Sequence, residues 1–436
     1  MKRILLLQVL LLLALPAAPL AAQEPWTLER CIQYGMEHNT GLQEQAVETA
    51  LRKAVLREKT AAHFPQVSAT IAQDWNWGRS VDMQELVIIH NKLTRATGAS
   101  LSASLPLFDG LGRHFDRRAA GKAVEGAVLD GEAMRRTLAI DITRAYLQLM
   151  LSRQVEASAR ESHATIVLQR ERTAQLVAAG SQPKSALSEL DAQVAAEKAA
   201  LVEASCQVRT AVLALASLMN LPAEKDFPAG EAFGEEEIGS AVPVLSQTRL
   251  EDWLWQDPRI QSAKTAIRTA ADLHAAAKGA FFPSLHLTAG YGTYYSSAAD
   301  GSFRTQLGEN RNPSLSLQLV IPLFDALQRT SQARRARLDL ERARIQAEKV
   351  RTQVAAEIRS AAIEAENCCQ KYLSAEETLQ AMQELLAVTE AKYELGATSA
   401  LDYIMARNRH AKARSDFLQA KWQYLFQLKL LESYRQ

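Results

Sequence analysis

The chain has 436 residues, of which 47% are hydrophobic and 23% charged, and its 50 basic residues nearly balance 49 acidic ones. The formal charge of +1 implies no bulk electrostatic attraction to nucleic acid or to an anionic membrane, so no nucleic-acid partner is expected. The length allows two or three ordinary domains, and the low counts of 19 glycines and 13 prolines favour long uninterrupted elements.

The N-terminus predicts export. Lys2 and Arg3 precede an apolar run over 4–15, and small residues follow up to Ala22. This pattern predicts a secretory signal peptide over 1–22. The run is too short to span a membrane as a helix, and no later run of 18 apolar residues is seen. If the chain crosses a membrane, we therefore expect it to use β-strands.

Most of the remaining sequence is duplicated. Four landmarks recur in the same order, 216–218 residues apart: Phe64-Pro65 and Phe282-Pro283, Pro106-Leu107-Phe108-Asp109 and Pro322-Leu323-Phe324-Asp325, Arg117-Arg118 and Arg334-Arg335, Gly180 and Gly396. We predict a first repeat over 23–219 and a second over 248–436. The proline-, glycine- and acid-rich segment 220–247 is predicted to be an irregular equatorial linker between them. The period is far longer than the 20–50 residues of a solenoid repeat.

Each repeat is predicted to begin with a helix that leads into two strands. The strand pairs are 66–77 with 98–107 and 284–293 with 314–323, and each pair is joined by a loop of about 20 residues. Apolar residues alternate with small polar ones, and aromatic residues stand at the ends of the runs. Runs of about 10 such residues are typical of membrane-barrel strands. The two hairpins of a soluble sandwich would alternate in the same way.

Four strands cannot close a barrel. In lipid, an open sheet edge leaves backbone groups unpaired at a cost of several kcal/mol each, and the smallest bacterial barrels have about eight strands. Several copies are therefore expected to share one barrel, with eight strands from two copies or twelve from three.

Two very long helices follow the strand pairs, over 109–178 and 325–395, each about 105 Å long. The second has a heptad seam with alternating steps of 3 and 4, which is typical of a coiled coil. Its members are Ile358, Ala361, Ala365, Cys368, Tyr372, Ala375, Leu379, Met382, Leu386, Thr389 and Tyr393. A return helix follows each long helix, so each repeat is predicted to contain a long antiparallel hairpin with its tip near 180 or 396.

Several motifs together resemble the TolC-like outer membrane efflux protein family. They are the opening at 26–32, the repeated Phe-Pro and Pro-Leu-Phe-Asp, and Gly-Ala-Thr-Ser-Ala-Leu-Asp at 396–402. The resemblance extends from about Trp26 to Tyr434. It implies a mainly α fold with a membrane β-barrel, in which the four strands of each of three chains close a 12-stranded barrel. The duplicated helical hairpins would form an α-barrel across the periplasm.

The resemblance also implies a function and partners. The chain would form a homotrimeric, passive channel in the bacterial outer membrane, surrounded by outer membrane lipid. It would be the exit duct of a tripartite efflux or type I secretion system, with a periplasmic adaptor and an inner-membrane pump as partners. The alternative is a non-conducting periplasm-spanning coiled-coil scaffold or surface adhesin, which needs no lipid-facing strands with aromatic ends.

A gate is implied at the tip of the second hairpin. In the family, aspartates just after this tip constrict the periplasmic entrance, and Asp402 falls on the first such position. Met405 and Ala186 occupy other positions of the pattern, so this chain departs from a double ring of aspartates. Asp402 also stands where it could simply cap its helix, three residues after Ser399. The tip residues expected to contact the adaptor are Gly180, Gly396, Thr398 and Ser399.

No catalytic activity is predicted. The eight histidines have no pair at helical i, i+4 spacing, and the four cysteines lack metal-type spacing. We therefore expect no metal, no cofactor and no enzyme. The cysteines are interpreted as small buried hydrophobic residues.

Overall fold

A computed structural model describes residues 26–81, 88–89, 93–222, 247–395 and 397–435. The predicted signal peptide, Gly396 and most of the predicted linker lie outside these described residues. The first repeat contains α1 (Leu28–His38), α2 (Thr40–Ala61), β1 (Gln66–Asn76), β2 (Ser80–Val81), β3 (Ile88–Ile89), β4 (Thr94–Phe108), α3 (Gly112–Ala178) and α4 (Lys184–Met219). The second contains α5 (Gln247–Gln256), α6 (Pro258–Gly279), β5 (Ser284–Ser296), α7 (Phe303–Glu309), β6 (Asn312–Val320), α8 (Gln328–Glu394) and α9 (Ala400–Arg435).

The chain divides into two compact units, and each draws on both repeats. The sheet unit comprises 44–133 and 248–356. The helical unit comprises 1–43, 134–247 and 357–436. Two helices of 67 residues each, α3 and α8, contribute residues to both units. The division into two sequence repeats therefore remains a prediction about domain organisation.

The strands overlap the four predicted runs, but their bounds differ: β1 ends at Asn76 rather than 77, β5 continues to Ser296 rather than 293, and β6 covers Asn312–Val320 rather than 314–323. β4 begins at Thr94 rather than at 98, because Thr94 and Arg95 continue the antiparallel ladder opposite Asn76 and Trp75. The loops between paired strands also contain short elements, namely the β2–β3 hairpin and the helix α7. α7 forms because the Ser302 hydroxyl accepts a hydrogen bond from the Thr305 amide and caps its N-terminus.

The helix predicted at the start of each repeat is in fact two helices. The break falls at Asn39 in the first repeat and at Asp257 in the second, 218 residues apart. The Asn39 side-chain oxygen accepts a hydrogen bond from the Leu42 amide at 3.2 Å, and the Asp257 carboxylate accepts one from the Arg259 amide at 2.9 Å. Each side chain satisfies an amide that a new helix leaves unpaired, so the chain can turn there.

Within the helical unit, the first repeat packs α1, α3 and α4 around a core that includes Ile142, Tyr146, Leu215 and Met219. The Tyr146 hydroxyl donates a hydrogen bond to the Trp26 carbonyl at 3.0 Å, which satisfies its one polar group.

The heptad seam of α8 is confirmed. Ile358, Ala361 and Ala365 are buried, and every later seam residue is half-buried while most of its neighbours are exposed. One detail differs: Cys369 is buried and Cys368 only half-buried, so the seam turns slightly at this point.

Among the helices that the structure describes, α4 is the one that is long and apolar enough by length and composition to cross a membrane. The sequence analysis missed it because its apolar residues do not form one unbroken run. Ala211, Leu215 and Met219 of α4 belong to the core shared with α1 and α3. Only 22% of the most apolar 18-residue stretch of α4 is buried, however, so packing within the chain covers a small part of its apolar surface.

Candidate functional site: the two-faced sheet and the hairpin tips

The sheet of the sheet unit has one apolar face and one polar face. Its strand order is β1-β4-β5-β6, and all neighbours are antiparallel. Directly paired residues lie on the same face of a sheet. The apolar face carries Val67, Ala69, Ile71, Ala99, Leu101, Ala103, Leu105, Leu285, Leu287, Ala289, Tyr291, Leu315, Leu317 and Leu319. The polar face carries Gln66, Ser68, Thr70, Ser100, Ser102, Ser104, His286, Thr288, Gly290, Gly292, Ser314, Ser316 and Gln318.

Within the described residues, the chain leaves most of both faces uncovered, and α7 packs only against the loop end of β5, where the Thr293 hydroxyl donates to the Leu307 carbonyl at 2.8 Å. Every residue of β1 and β6 is exposed, and within the four strands Thr94 alone is buried. Ile71 is 81% exposed and Leu315 75%. A soluble sandwich would bury one face of the sheet in its own core, so this sheet is built to be covered by something other than its own chain.

The sheet is also open at both edges. Within the described residues, β1 pairs with β4 alone and β6 with β5 alone. Each edge therefore presents a row of backbone amides and carbonyls with no partner in the chain. Such rows are available to pair with another strand.

Exposed aromatic residues stand at both ends of the sheet. Trp75, Trp77 and Tyr294 lie at the end that carries the loops, and Phe108, Phe282 and Phe324 at the end that carries the helices. An apolar band between two aromatic belts is the arrangement found in transmembrane β-barrels.

The turn from strand into long helix is built the same way in both repeats. Arg113 donates to the Asp109 carboxylate from both its amide and its side chain, at 3.1 and 2.8 Å. Arg329 binds Asp325 in the same way, with a 2.9 Å amide hydrogen bond and a 3.2 Å ion pair. The aspartate of each Pro-Leu-Phe-Asp motif thus caps the following helix and fixes its starting direction.

At the tip of the second hairpin, Asp402 is exposed and engaged with its own helix. Its carboxylate accepts hydrogen bonds from the Ser399 hydroxyl at 2.7 Å and the Thr398 hydroxyl at 3.2 Å. The Asp402 amide in turn donates to the Ser399 hydroxyl at 3.1 Å, which completes a capping box. Hydrogen bonds from Ser399 and Thr398 hold the pKa of the Asp402 carboxyl below its usual range.

The tip of the first hairpin turns at Gly180. This residue has φ of +75°, and an added Cβ would meet nothing within 4 Å. Met405 of the second hairpin is exposed, whereas Ala186 of the first is buried. The Gly396 position lies outside the described residues.

Contacts near the tips join the two hairpins to each other. The Arg407 guanidinium donates to the Ser162 carbonyl at 2.9 Å, and the Arg414 guanidinium forms a 2.9 Å ion pair with Glu161. A small buried apolar cluster also joins the two hairpins. It consists of Ile166 and Leu190 from the first hairpin and Ile404 from the second. The sequence analysis found none of these contacts, because nothing in one helix identifies which residues of another it will meet.

A model of the family described as "Outer membrane efflux protein" matches residues 32–221 and 250–434. The chain belongs to the outer membrane efflux protein family. The two matched segments are separated by residues 222–249. As members of this family are channels of the bacterial outer membrane that extend into the periplasm, the chain is an outer membrane channel protein and not an enzyme.

Solved structures of outer membrane proteins share the fold. The Campylobacter jejuni CmeC outer membrane channel aligns with a TM-score of 0.83 at 17% identity, over 93% of this chain and 85% of that one. The open state of the Neisseria gonorrhoeae MtrE channel gives 0.78 at 20% identity, over 93% and 88%. VceC from Vibrio cholerae gives 0.79 at 15% identity, over 93% and 95%. A comparison with curated proteins finds no significant match.

Among the described residues of this efflux family member, no group of three or more His, Cys, Asp or Glu side chains is arranged to hold a metal ion. The interpretation of the cysteines was right for Cys31 and Cys369, which are buried, and wrong for Cys206, which is exposed. Cys206 lies on the solvent side of α4, away from the residues that form the core with α3.

Proposed function

We propose that the chain forms a homotrimeric channel that serves as the exit duct of a tripartite efflux or type I secretion system. The observation that carries this proposal is a four-stranded sheet with an apolar face and a hydroxyl-rich face, both left largely uncovered by the described residues, and two open edges. An apolar face suits lipid and a face of small polar side chains suits a water-filled lumen. The open edges would be closed by the strands of neighbouring subunits.

The helices beside the edge strands support the same assembly. α2, which leads into β1, has no buried residue among its 22, and Val47, Leu51 and Val55 form an exposed apolar stripe along it. At the other edge, α8 follows β6 and exposes Leu338 and Ile345. Since stripes of this kind are normally covered, neighbouring subunits would pair β1 with β6 and α2 with α8. Three copies give the twelve strands that the family resemblance implies.

Two substitutions on adjacent residues of β1 test whether the apolar face lies in lipid. Ile71→Arg places a charge on the apolar face, and Thr70→Arg places the same charge on the polar face. An arginine near the bilayer midplane costs about 2–4 kcal/mol on a lipid-facing site but little in a wet lumen. We expect Ile71→Arg to reduce the heat-modifiable oligomer in outer membrane fractions, and Thr70→Arg to leave it intact. Equal behaviour of the two variants would refute the assignment of the faces.

We further propose that Asp402 contributes to a gate at the periplasmic end. Asp402 can cap its own helix and line a constriction at the same time. The direction of its pKa shift in the channel reports whether the constriction is present. Three Asp402 carboxylates close to a common axis would raise one another's pKa above 3.8, whereas the cap alone lowers it. The pH dependence of cation block in single-channel recordings measures that pKa, with Asp402→Ala as the control that abolishes the titration. Unchanged conductance and block in Asp402→Ala would exclude a gating role.

The tips are proposed to dock on a periplasmic adaptor, which in turn joins an inner-membrane pump. An added side chain at Gly180 would meet no atom within 4 Å, so its cost to the hairpin is confined to the positive φ, about 1–2 kcal/mol for any L-residue. Asparagine tolerates a positive φ better than other non-glycine residues, so Gly180→Asn is the conservative control for the bulky Gly180→Trp. We expect Gly180→Trp to abolish resistance to exported compounds while the channel still reaches the outer membrane. Full resistance in Gly180→Trp would remove this tip from the docking surface.

A further inference from the structure

A pair of adjacent arginines, Arg117-Arg118 and Arg334-Arg335, occurs near the start of each long helix. Arg117-Arg118 begins five residues after the start of α3, and Arg334-Arg335 six residues after the start of α8. At 1.5 Å per residue, both pairs lie about 8–9 Å along the helix axis from its sheet end. Both belong to the sheet unit.

The two pairs differ in their partners. Arg118 forms a 3.4 Å ion pair with the buried Asp272, which Lys122 also contacts at 2.8 Å. In the part of the chain that the structure describes, no carboxylate comes within ion-pair distance of the exposed Arg334, nor of Arg335. The second pair therefore lacks the counter-ion that the first one has.

Further positive charge surrounds the second pair. Arg337, one turn along, is likewise exposed and has no carboxylate partner among the described residues. Burial, together with the charges of Lys278 and Arg337, lowers the pKa of His274 on the neighbouring helix α6. Like charges gathered in this way repel one another unless an anion from outside the chain balances them.

The charge is concentrated at the helix ends next to the sheet. The 15 helical residues nearest the sheet carry formal charges of +2 in α2 (47–61), +2 in α3 (112–126), +1 in α6 (265–279) and +3 in α8 (328–342). Their total of +8 compares with +1 for the whole chain. The remainder of the chain is therefore acidic, and this belt of basic residues is a local feature.

The belt directly follows the aromatic residues at the helix end of the sheet. Phe108 and Phe324, both exposed, precede the two arginine pairs by about ten residues. The polar headgroup layer on each side of a bilayer is about 5–8 Å thick. Long basic side chains just beyond an aromatic belt extend back to that layer and attract anionic headgroups there.

We propose that the sheet–helix junction of the second repeat binds the phosphate of anionic phospholipid headgroups, of the phosphatidylglycerol type, through Arg334, Arg335 and Arg337. The corresponding Arg117 adds a weaker contact in the first repeat, where Asp272 already neutralises Arg118. The site would hold the channel at a fixed depth in the periplasmic leaflet of the outer membrane. It rests on the membrane-embedded sheet of the proposed function.

The test uses the full-length protein purified in a non-ionic detergent. Retention of phosphatidylglycerol and of phosphatidylcholine is measured by native mass spectrometry over a salt series. The test variant is Arg334→Gln, Arg335→Gln and Arg337→Gln together. The control removes the same charge from exposed positions of the helical unit, with Arg359→Gln, Arg409→Gln and Lys412→Gln.

We expect the wild-type protein to prefer phosphatidylglycerol and to lose this preference as salt is raised. The triple test variant should bind it about fivefold more weakly per arginine removed, on the order of 100-fold in all. The control should bind like wild type. Equal retention of the two lipids by wild type, or an unchanged preference in the test variant, would overturn the inference.

Two further measurements distinguish a lipid site from a general anion site, and this inference from the proposed function. Inorganic phosphate in large excess should displace little phosphatidylglycerol; efficient displacement would overturn the lipid assignment in favour of a general anion site. Single-channel conductance of the same preparations in planar bilayers reports the proposed function independently. Normal channels without a lipid preference would refute this inference alone, whereas the absence of channels would refute the proposed function and this inference with it.

Discussion

Replacing Gly110 with alanine should destabilise the turn that carries β4 into α3. Gly110 has φ of +68°, a region where an L-residue costs about 1–2 kcal/mol. An added Cβ would also lie 2.8 Å from the carbonyl carbon of Gly279, and closer still to its oxygen. Both atoms belong to the backbone of α6, so no side-chain rotation can relieve the contact, and overpacking of this kind costs about 1–3 kcal/mol. The two effects together predict a loss of about 2–5 kcal/mol.

The second repeat provides a matched control for this prediction. Its equivalent residue, Ala326, already has a side chain at φ of +49°. Ala326→Gly relieves that conformation, and the greater chain entropy of glycine, about 0.5–1 kcal/mol, offsets part of the gain, so the variant should be neutral or slightly more stable. The assay is the temperature at which the purified oligomer loses its β-sheet circular dichroism signal, scanned at one heating rate for all variants. If Gly110→Ala unfolds at the wild-type temperature, the close approach of Gly110 to Gly279 does not constrain the junction, and the reasoning is refuted.

Three further predictions concern the helical unit. Ile358→Ala removes a fully buried side chain (0% exposed) and should lower the free energy of unfolding by about 2–5 kcal/mol. Ile363→Ala on the same helix, where the side chain is 60% exposed, should change the unfolding temperature little. Equal losses in the two variants would contradict the packing of α8. A maleimide should label the exposed Cys206 in the folded protein and spare Cys31, because Cys31 is buried and burial raises the pKa of its thiol to about 12. Mass spectrometry after brief labelling detects the difference. Rapid labelling of Cys31 would contradict its burial. In the dissociated monomer, where the cap acts without neighbouring carboxylates, the lowered pKa of Asp402 means that the cap stabilises α9 above pH 3.8 and is lost as the pH falls through the folded-state pKa. Amide exchange in the first turn of α9 should accelerate there. Ser399→Ala should bring the pKa of Asp402 back towards 3.8, and an unchanged titration in this variant would show that the Ser399 hydroxyl does not set it.

Periodicity made most of the secondary structure predictable from the sequence. The alternation in β1 and the steps of 3 and 4 from Ile358 along α8 are local properties that a single segment displays by itself. Because the sequence is duplicated, each motif occurs twice. A motif that is weak in one repeat could therefore be recognised from its counterpart in the other. The breaks at Asn39 and Asp257 were missed because a capping side chain looks the same in sequence whether or not a helix restarts after it.

The sequence by itself determined that the strands have two faces, that the long helices carry a seam, and that four strands are too few to close a barrel. Only the tertiary structure decided that all four apolar faces fall on one side of the sheet, since a register shift of one residue in any strand would have reversed its faces. It also decided that Cys369 rather than Cys368 is buried, and that Arg407 reaches Ser162. These outcomes depend on how separate elements are rotated and placed against each other, and no local pattern records that.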